Sequence, residues 1–279
     1  MPIPNFIIAG PPKTGTTSIF DWLAKHPDAH PSNKKETYFF YDDASKQSPF
    51  PNYLRDGWEG YKKLFKGWNR EKIVFEASPG YIYSKLALEK LGSIKGLKVL
   101  VIYRNEPDRL FSEYQFNKYK TKKFQGDFRS YIMSAEEVFD KETRDETKLS
   151  LHTEKWLQKV GQDNLRIVHF DDLKSDPETL MQKLSKFLEI DHAFYVNFDF
   201  QKKNETFGLK NRKLHQIALQ VKDKTPNFLS QLITPYYYAW NKQGIPKISS
   251  DEEMTKSNLR ETIAIREHDF KEKYASLFL

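Results

Sequence analysis

The sequence predicts an α/β fold: a single domain over residues 1–279 with a central parallel β-sheet flanked by helices. The short runs Phe6–Ala9, Lys72–Glu76, Leu97–Tyr103 and Leu165–Phe170 are nearly continuous in apolar residues, as strands buried on both faces are. Segments with apolar residues at helical spacing separate them, and strand–helix alternation implies right-handed crossovers that cover both faces of one sheet. The turn after the first run, Gly10-Pro11-Pro12-Lys13-Thr14-Gly15-Thr16-Thr17, leads straight into a helical pattern. That makes the architecture P-loop-like, with backbone N–H groups and the positive end of a helix facing an anion.

The first loop departs from the Walker A pattern, which places Lys directly after the second glycine. Here Gly10 and Gly15 keep the spacing, Thr16 stands in the lysine position, and Lys13 precedes Gly15. The small residues Gly15, Thr16, Thr17 and Ser18 suit close backbone approach to a phosphate-like group, without the arrangement for ATP hydrolysis. A plain turn with a solvated Lys13 is the alternative. Ile19, Phe20, Trp22 and Leu23 form the helix that follows, and His26 is expected to end it by interacting with its last carbonyls. In Asn33-Lys34-Lys35-Glu36-Thr37-Tyr38-Phe39-Phe40 a carboxylate is flanked by lysines and followed by aromatics. This fits either a general base at a cleft edge or a surface ion pair beside a buried strand. Residues 42–60 are polar and marked by Pro and Gly, which predicts a surface loop.

The third strand ends in Arg104, and a helix starting near Pro107 puts Ser112 about a turn and a half in. A strand-end Arg with a hydroxyl makes a clamp for a phosphate dianion, unless Arg104 pairs with Glu106. Lys118, Lys120, Lys122 and Lys123 predict a solvated helix face, or a patch that steers polyanions. Leu149, Trp156, Leu157 and Val160 predict the next helix, with His152 on the Trp156 side, either partly buried or reaching the cleft. Asp176-Pro177-Glu178 is a helix start, with an acceptor at the cap and Pro at the first position. Leu180, Leu184, Phe187 and Leu188 continue that helix. Residues 189–213 carry Lys202, Lys203, Lys210, Arg212 and Lys213 with few apolar anchors, and predict a long basic loop. Tyr236-Tyr237-Tyr238 with Trp240 predict packing, or the lining of an acceptor pocket. Residues 256–278 predict a charged amphipathic helix.

Composition narrows the function classes. With 38% hydrophobic and 30% charged residues the chain is globular, without a run of about 18 apolar residues to span a bilayer. No signal-peptide pattern opens the sequence, so a cytoplasmic location is expected. The absence of cysteine excludes disulfides, thiolate metal sites and a Cys nucleophile. No His/Asp/Glu cluster has ligand spacing, and no metal is expected. A net charge of +7 and a pI near 9.1 favour an anionic partner. No nucleic-acid recognition motif is present, so neither nucleic acid nor a membrane is expected as partner.

Taken in order, Lys13–Thr17, Lys35–Phe40, Ser78-Pro79-Gly80-Tyr81 and Arg104 through Tyr114 read K-T-G-T-T, K-E-x-x-F-F, S-P-x-Y and R-x-x-x-x-R-x-x-S-x-Y. This series resembles the PAPS-dependent sulfotransferases, nearest their heparan sulfate type. Trp156-Leu157 through Phe187-Leu188, with Asp171-Asp172-Leu173 and Asp176-Pro177, is similar to that family's W-L…[ED]-x-L-x-x-D-P…F-L region. The resemblance covers residues 5–190 as a donor-binding core, with 191–279 completing the nucleotide and acceptor site. It implies that Lys13, Thr14, Gly15, Thr16, Thr17 and Ser18 hold the 5′-phosphosulfate end of 3′-phosphoadenylyl sulfate (PAPS), Lys13 stabilising the leaving phosphate oxygen. It implies that Arg104 and Ser112 bind the 3′-phosphate and that Glu36 is the general base. Lys210 and Arg212 loosely match a K-G-R loop that closes over the nucleotide, with Asn211 in place of its glycine.

Three departures stand out. Ala77 replaces the lysine of the family's E-K-S-P stretch, Tyr38 replaces the histidine of K-E-x-H-F-F, and the C-terminal third has no cysteine pair. They remove features tied to a heparan-like polymer and leave the donor residues in place, and a small-molecule or carbohydrate acceptor is expected. The chemistry agrees, since sulfonate transfer to a hydroxyl or amine needs cations on the leaving oxygen, a base for the acceptor proton, and a positioned acceptor. A nucleotide kinase on the same fold and a non-catalytic polyanion-binding module are the alternatives.

Overall fold

The computed structural model describes residues 2–42, 50–138, 146–201, 208–211, 214, 218, 233, 236, 237 and 240–279. Among them a five-stranded, wholly parallel sheet runs in the order β2-β3-β1-β4-β5. Its strands are β1 Phe6–Ala9, β2 Ala29–Pro31, β3 Ile73–Ala77, β4 Lys98–Tyr103 and β5 Leu165–His169. All except β2 were foreseen, within a residue or so at each end. The edge strand β2 escaped notice because it is three residues long and contains Pro31, which is tolerated only on an edge.

Alternation along the strands sorts the core into two layers. Ile7, Ala9, Val99, Val101, Tyr103 and Ile167 face a layer containing Trp156, Tyr61, Phe39 and Phe40. Phe6, Ile8, Phe75, Leu100, Ile102 and Val168 face helices α1 (Thr16–Leu23) and, later in the chain, α8 (Pro177–Leu188). Asp176 caps α8 by accepting from Thr179 N at 3.1 Å, with Pro177 at its first position, as the sequence predicts.

Residues 42–60 are not all loop. Helix α2, Tyr53–Lys62, starts at the Asn52 cap and bends at Gly57 (φ 53°). Its Trp58 and Tyr61 pack onto Phe40 at ring separations of 5.7 and 4.6 Å, so tertiary aromatic contact outweighs the local Pro/Gly signal. Helix α3 (Lys85–Lys90) leads to β4, and α4 (Glu106–Gln115) follows it. A single π-helical turn, Phe116–Lys120, ends α4. Helices α5 (Phe128–Val138) and α6 (Glu146–Val160) precede β5, and α7 (Asp172–Ser175) follows it.

The expected basic loop over 189–213 is anchored after all. Tyr195 is buried, and Phe194, Phe198 and Phe200 pack with it and Trp22 against the α1 layer. Lys202, Lys203, Arg212 and Lys213 lie outside the described residues. Strands β6 (Gly208–Leu209) and β7 (Lys242–Gln243) pair antiparallel. Helix α9, Ser250–Lys273, begins earlier than predicted, because Ser249 and Glu252 form a capping box. It lies along α4, where Lys256 and Arg260 reach Asp108 at 2.6 and 3.0 Å. The chain then returns to the sheet, Leu279 N donating to Ile167 O at 3.0 Å.

Candidate active site

Strand β1 pairs with β3 on one side and β4 on the other, so the chain reverses its direction of travel across the sheet at β1. Ligands of open α/β sheets bind at such a switch point, outside the carboxyl ends of the strands. The loops after β1, β3 and β4 meet there around a cavity of about 850 Å³. Lys13, Gly15, Thr16, Thr17, Ser18, Glu36, Arg104 and Ser112 all line it, although they come from three separate stretches of sequence.

Backbone geometry shapes the first loop. Gly10 has φ +135°, and a Cβ there would stand 2.6 Å from the Ile102 carbonyl oxygen, so only glycine lets the loop leave β1 beside β4. Gly15, at φ +88°, is the cap residue of α1, and no side chain caps that helix. The first turn of α1, with its positive end of the helix dipole, therefore borders the cavity. Thr14 turns away from it: it is buried, and its Oγ1 donates to Pro11 O at 2.8 Å, bracing the loop from within.

Lys13 has φ 68°, and its Nζ lies 4.2 Å from the centre of the Phe116 ring. Burial, then the nearby Lys120 and Arg104 charges, lower its pKa to about 8, against smaller opposing pulls from Glu113 and Glu36. Arg104 does not pair with Glu106. Its Nη1 donates to the Lys13 carbonyl at 2.8 Å and its guanidinium stacks on Phe170 at 4.2 Å. Burial lowers its pKa to about 10 despite Asp108 and Asp171, and its Nε is buried without a hydrogen-bond partner. Glu106 instead binds the buried Arg109 through Oε1 and Oε2 at 2.5 and 2.8 Å, and Glu113 meets the same guanidinium at 3.0 Å. This internal triad stiffens α4, which carries Ser112 to the cavity wall.

Glu36 also lines the cavity. Its Oε1 meets Lys35 Nζ at 2.5 Å and its Oε2 accepts from the Tyr38 hydroxyl. Burial raises its pKa, but the Lys35 charge and hydrogen bond, the Tyr38 hydrogen bond and Lys13 together outweigh burial and leave it below the ordinary value. Glu36 is thus ionised at neutral pH.

Other expected residues lie elsewhere. Lys210 is exposed just past β6 and does not line the cavity, although the β6 strand contacts the π-helical turn that does. Arg212 lies outside the described residues. His26 does not bond the last carbonyls of α1 through its ring: Nε2 donates to Asp191 O at 2.8 Å while Nδ1 accepts from Asp28 N at 3.1 Å. His152 packs edge-on to Tyr83 at 5.2 Å, away from the cavity lining. Tyr236 and Trp240 are exposed rather than packed, and Tyr238 is outside the described residues. Among the described residues no group of three or more His, Asp or Glu side chains is placed to hold a metal ion, and no helix is long and apolar enough to cross a membrane.

Sequence reasoning missed Phe116, Phe170 and Lys174 and read Lys120 only as one of a lysine run, and all four line the cavity. Phe116 sits one helical turn beyond Ser112, so helical spacing from that hydroxyl was a usable signal. Lys120 was submerged in a run of lysines, and only the π-helical turn brings it inward.

The family model of the sulfotransferase domain matches residues 4–228. The chain belongs to the sulfotransferase family. It is 27% identical over 220 residues to the bifunctional heparan sulfate N-deacetylase/N-sulfotransferase 4 of Mus musculus, covering 72% of this chain and 24% of that protein. The membrane-associated sulfotransferase kil1 of Dictyostelium discoideum is 31% identical over 119 residues, 41% of this chain and 23% of that one. The chain therefore spans about a quarter of the length of these curated relatives. Among solved structures, a sulfotransferase from Alicyclobacillus acidocaldarius superposes with a TM-score of 0.62 at 22% identity, covering 80% of this chain and 91% of that one, which shows a shared fold.

Proposed function

We propose that this sulfotransferase-family chain moves a sulfonate group from PAPS to a hydroxyl or amine of a small-molecule or carbohydrate acceptor by in-line displacement. The convergence of Lys13, Arg104, Ser112 and the ionised Glu36 on one cavity carries this reading. The fit to a polyanionic nucleotide rests on Arg104, whose Nε is buried without a partner, and on a Lys13 ammonium desolvated before any anion arrives. Arg104 and Ser112 bind the 3′-phosphate. The α1 turn and Lys13 hold the phosphosulfate end, and Lys13 neutralises charge as it develops on the leaving phosphate oxygen.

Glu36 takes the acceptor proton. Lys35 and Tyr38 keep its carboxylate ionised and fixed in direction, which is the state a base requires. The relatives named for heparan sulfate N-sulfation favour a carbohydrate amine or hydroxyl among the possible acceptors. In this reading residues 1–279 act as one domain, and Lys210, which lies outside the cavity lining, makes no nucleotide contact.

Radiolabelled PAPS offered with panels of alcohols, amines, sugars and glycans tests the reading. Glu36→Gln should lower turnover by about 10²- to 10⁴-fold, the usual worth of a positioned base, with binding of 3′,5′-ADP retained. Wild-type turnover in that variant would remove Glu36 from the base role. Phosphoryl transfer from ATP with Mg²⁺, and none from PAPS, would overturn the reaction class.

A further inference from the structure

Glu76 is a fully buried carboxylate that does not itself line the cavity, yet its oxygens are densely engaged. The Tyr61 hydroxyl donates to Oε1, while Thr37 Oγ1 and Ser78 Oγ donate to Oε2 at 2.7 and 2.9 Å. Ser78 Oγ in turn accepts from Thr37 N at 3.1 Å, and the Tyr81 hydroxyl lies 2.8 Å from Thr37 Oγ1. Thr37 is therefore held inward, at both its backbone and its side chain. Its neighbours Glu36 and Tyr38 have φ values of 59° and 55°, a left-handed conformation that such residues keep only where surrounding structure over-determines it. Both line the cavity and are bonded to each other through the Tyr38 hydroxyl.

We propose that Glu76 is a positioning residue: by anchoring Thr37 from inside the core it turns Glu36 and Tyr38 together toward the cavity and sets the direction of the Glu36 carboxylate. Burial supplies the reason for using a carboxylate. An acceptor with four lone-pair sites can gather several hydroxyl donors at one point, and a buried network of that kind is stiff when every member is satisfied. The role rests on Glu36 acting as the base.

Thr37→Val removes the anchor hydroxyl at nearly constant shape. It should lower kcat at least tenfold, leave the Kd for 3′,5′-ADP and the KM for PAPS within twofold, and move the acid limb of the kcat profile to higher pH. That last shift follows because Glu36 loses its fixed contacts with Lys35 and Tyr38. Thr37→Ser, which keeps the hydroxyl, should restore most of the rate. Ser78→Ala cuts the second link and should give the same split, which keeps the test decisive if Thr37→Val does not fold. A kcat within twofold of wild type in the folded variants, beside an inactive Glu36→Gln, overturns the positioning role alone. An active Glu36→Gln overturns the base itself, and the positioning role with it.

Discussion

Lys13 offers a quantitative test through its protonation. Its ammonium is held at about 8 instead of 10.5, chiefly by burial and then by Lys120 and Arg104. A phosphate dianion beside it adds the opposite charge and favours the ammonium, so the pKa in the complex is higher than in the free protein. The sign follows directly. Below pH 8 the lysine is already protonated and binding takes up no proton. Above pH 8 the free protein must gain a proton to bind, and each further unit weakens binding by about 1.4 kcal/mol. The affinity for 3′,5′-ADP should thus fall roughly tenfold between pH 7 and pH 9, while Arg104, lowered only to about 10, stays charged. Isothermal titration calorimetry in two buffers of different ionisation enthalpy measures both quantities, the affinity and the proton uptake, which should approach one at pH 9. Lys13→Met should bind more weakly throughout and show no such slope. An affinity that is flat from pH 7 to pH 9, or a slope that survives in Lys13→Met, would refute the argument.

Two further substitutions separate binding from architecture. Arg104→Ala removes charge-assisted bonds worth about 1.5–3 kcal/mol each. It should weaken 3′,5′-ADP binding at least tenfold and erase the preference over 5′-ADP, which competition binding reads; an unchanged preference would move the 3′-phosphate elsewhere. Arg109→Met leaves Glu106 and Glu113 without their shared partner in a buried setting. A loss of about 3–5 kcal/mol is expected in urea unfolding, and a loss below about 1 kcal/mol would mean that water already reaches the triad.

The site's legibility varied with the range of the forces involved. The first loop and Arg104 could be read because each follows a strand whose composition announces it, and strand ends are where a parallel sheet places its ligands. Glu36 was visible as a residue between lysines, but two meanings were open, base or surface pair. Its direction could not be read, since Thr37 beside it is held by Glu76 and Ser78, about forty residues further along the chain. Phe170 and Lys174 were silent because an aromatic at a strand end and a lysine on a short helix are ordinary in sequence. They matter only because β5 lies beside β4, which brings Phe170 under the Arg104 guanidinium.

By itself, then, the sequence determined four of the five strands, the loop that follows β1 and the family, because hydrophobic periodicity and short motifs act over a few residues at a time. Only the tertiary structure decided that Arg104 props the Lys13 carbonyl, that Arg109 and not Arg104 takes Glu106, and that Lys120 turns inward. These are pairings of charges through space, and they depend on which helix packs against which strand end. Spacing along the chain does not carry that information.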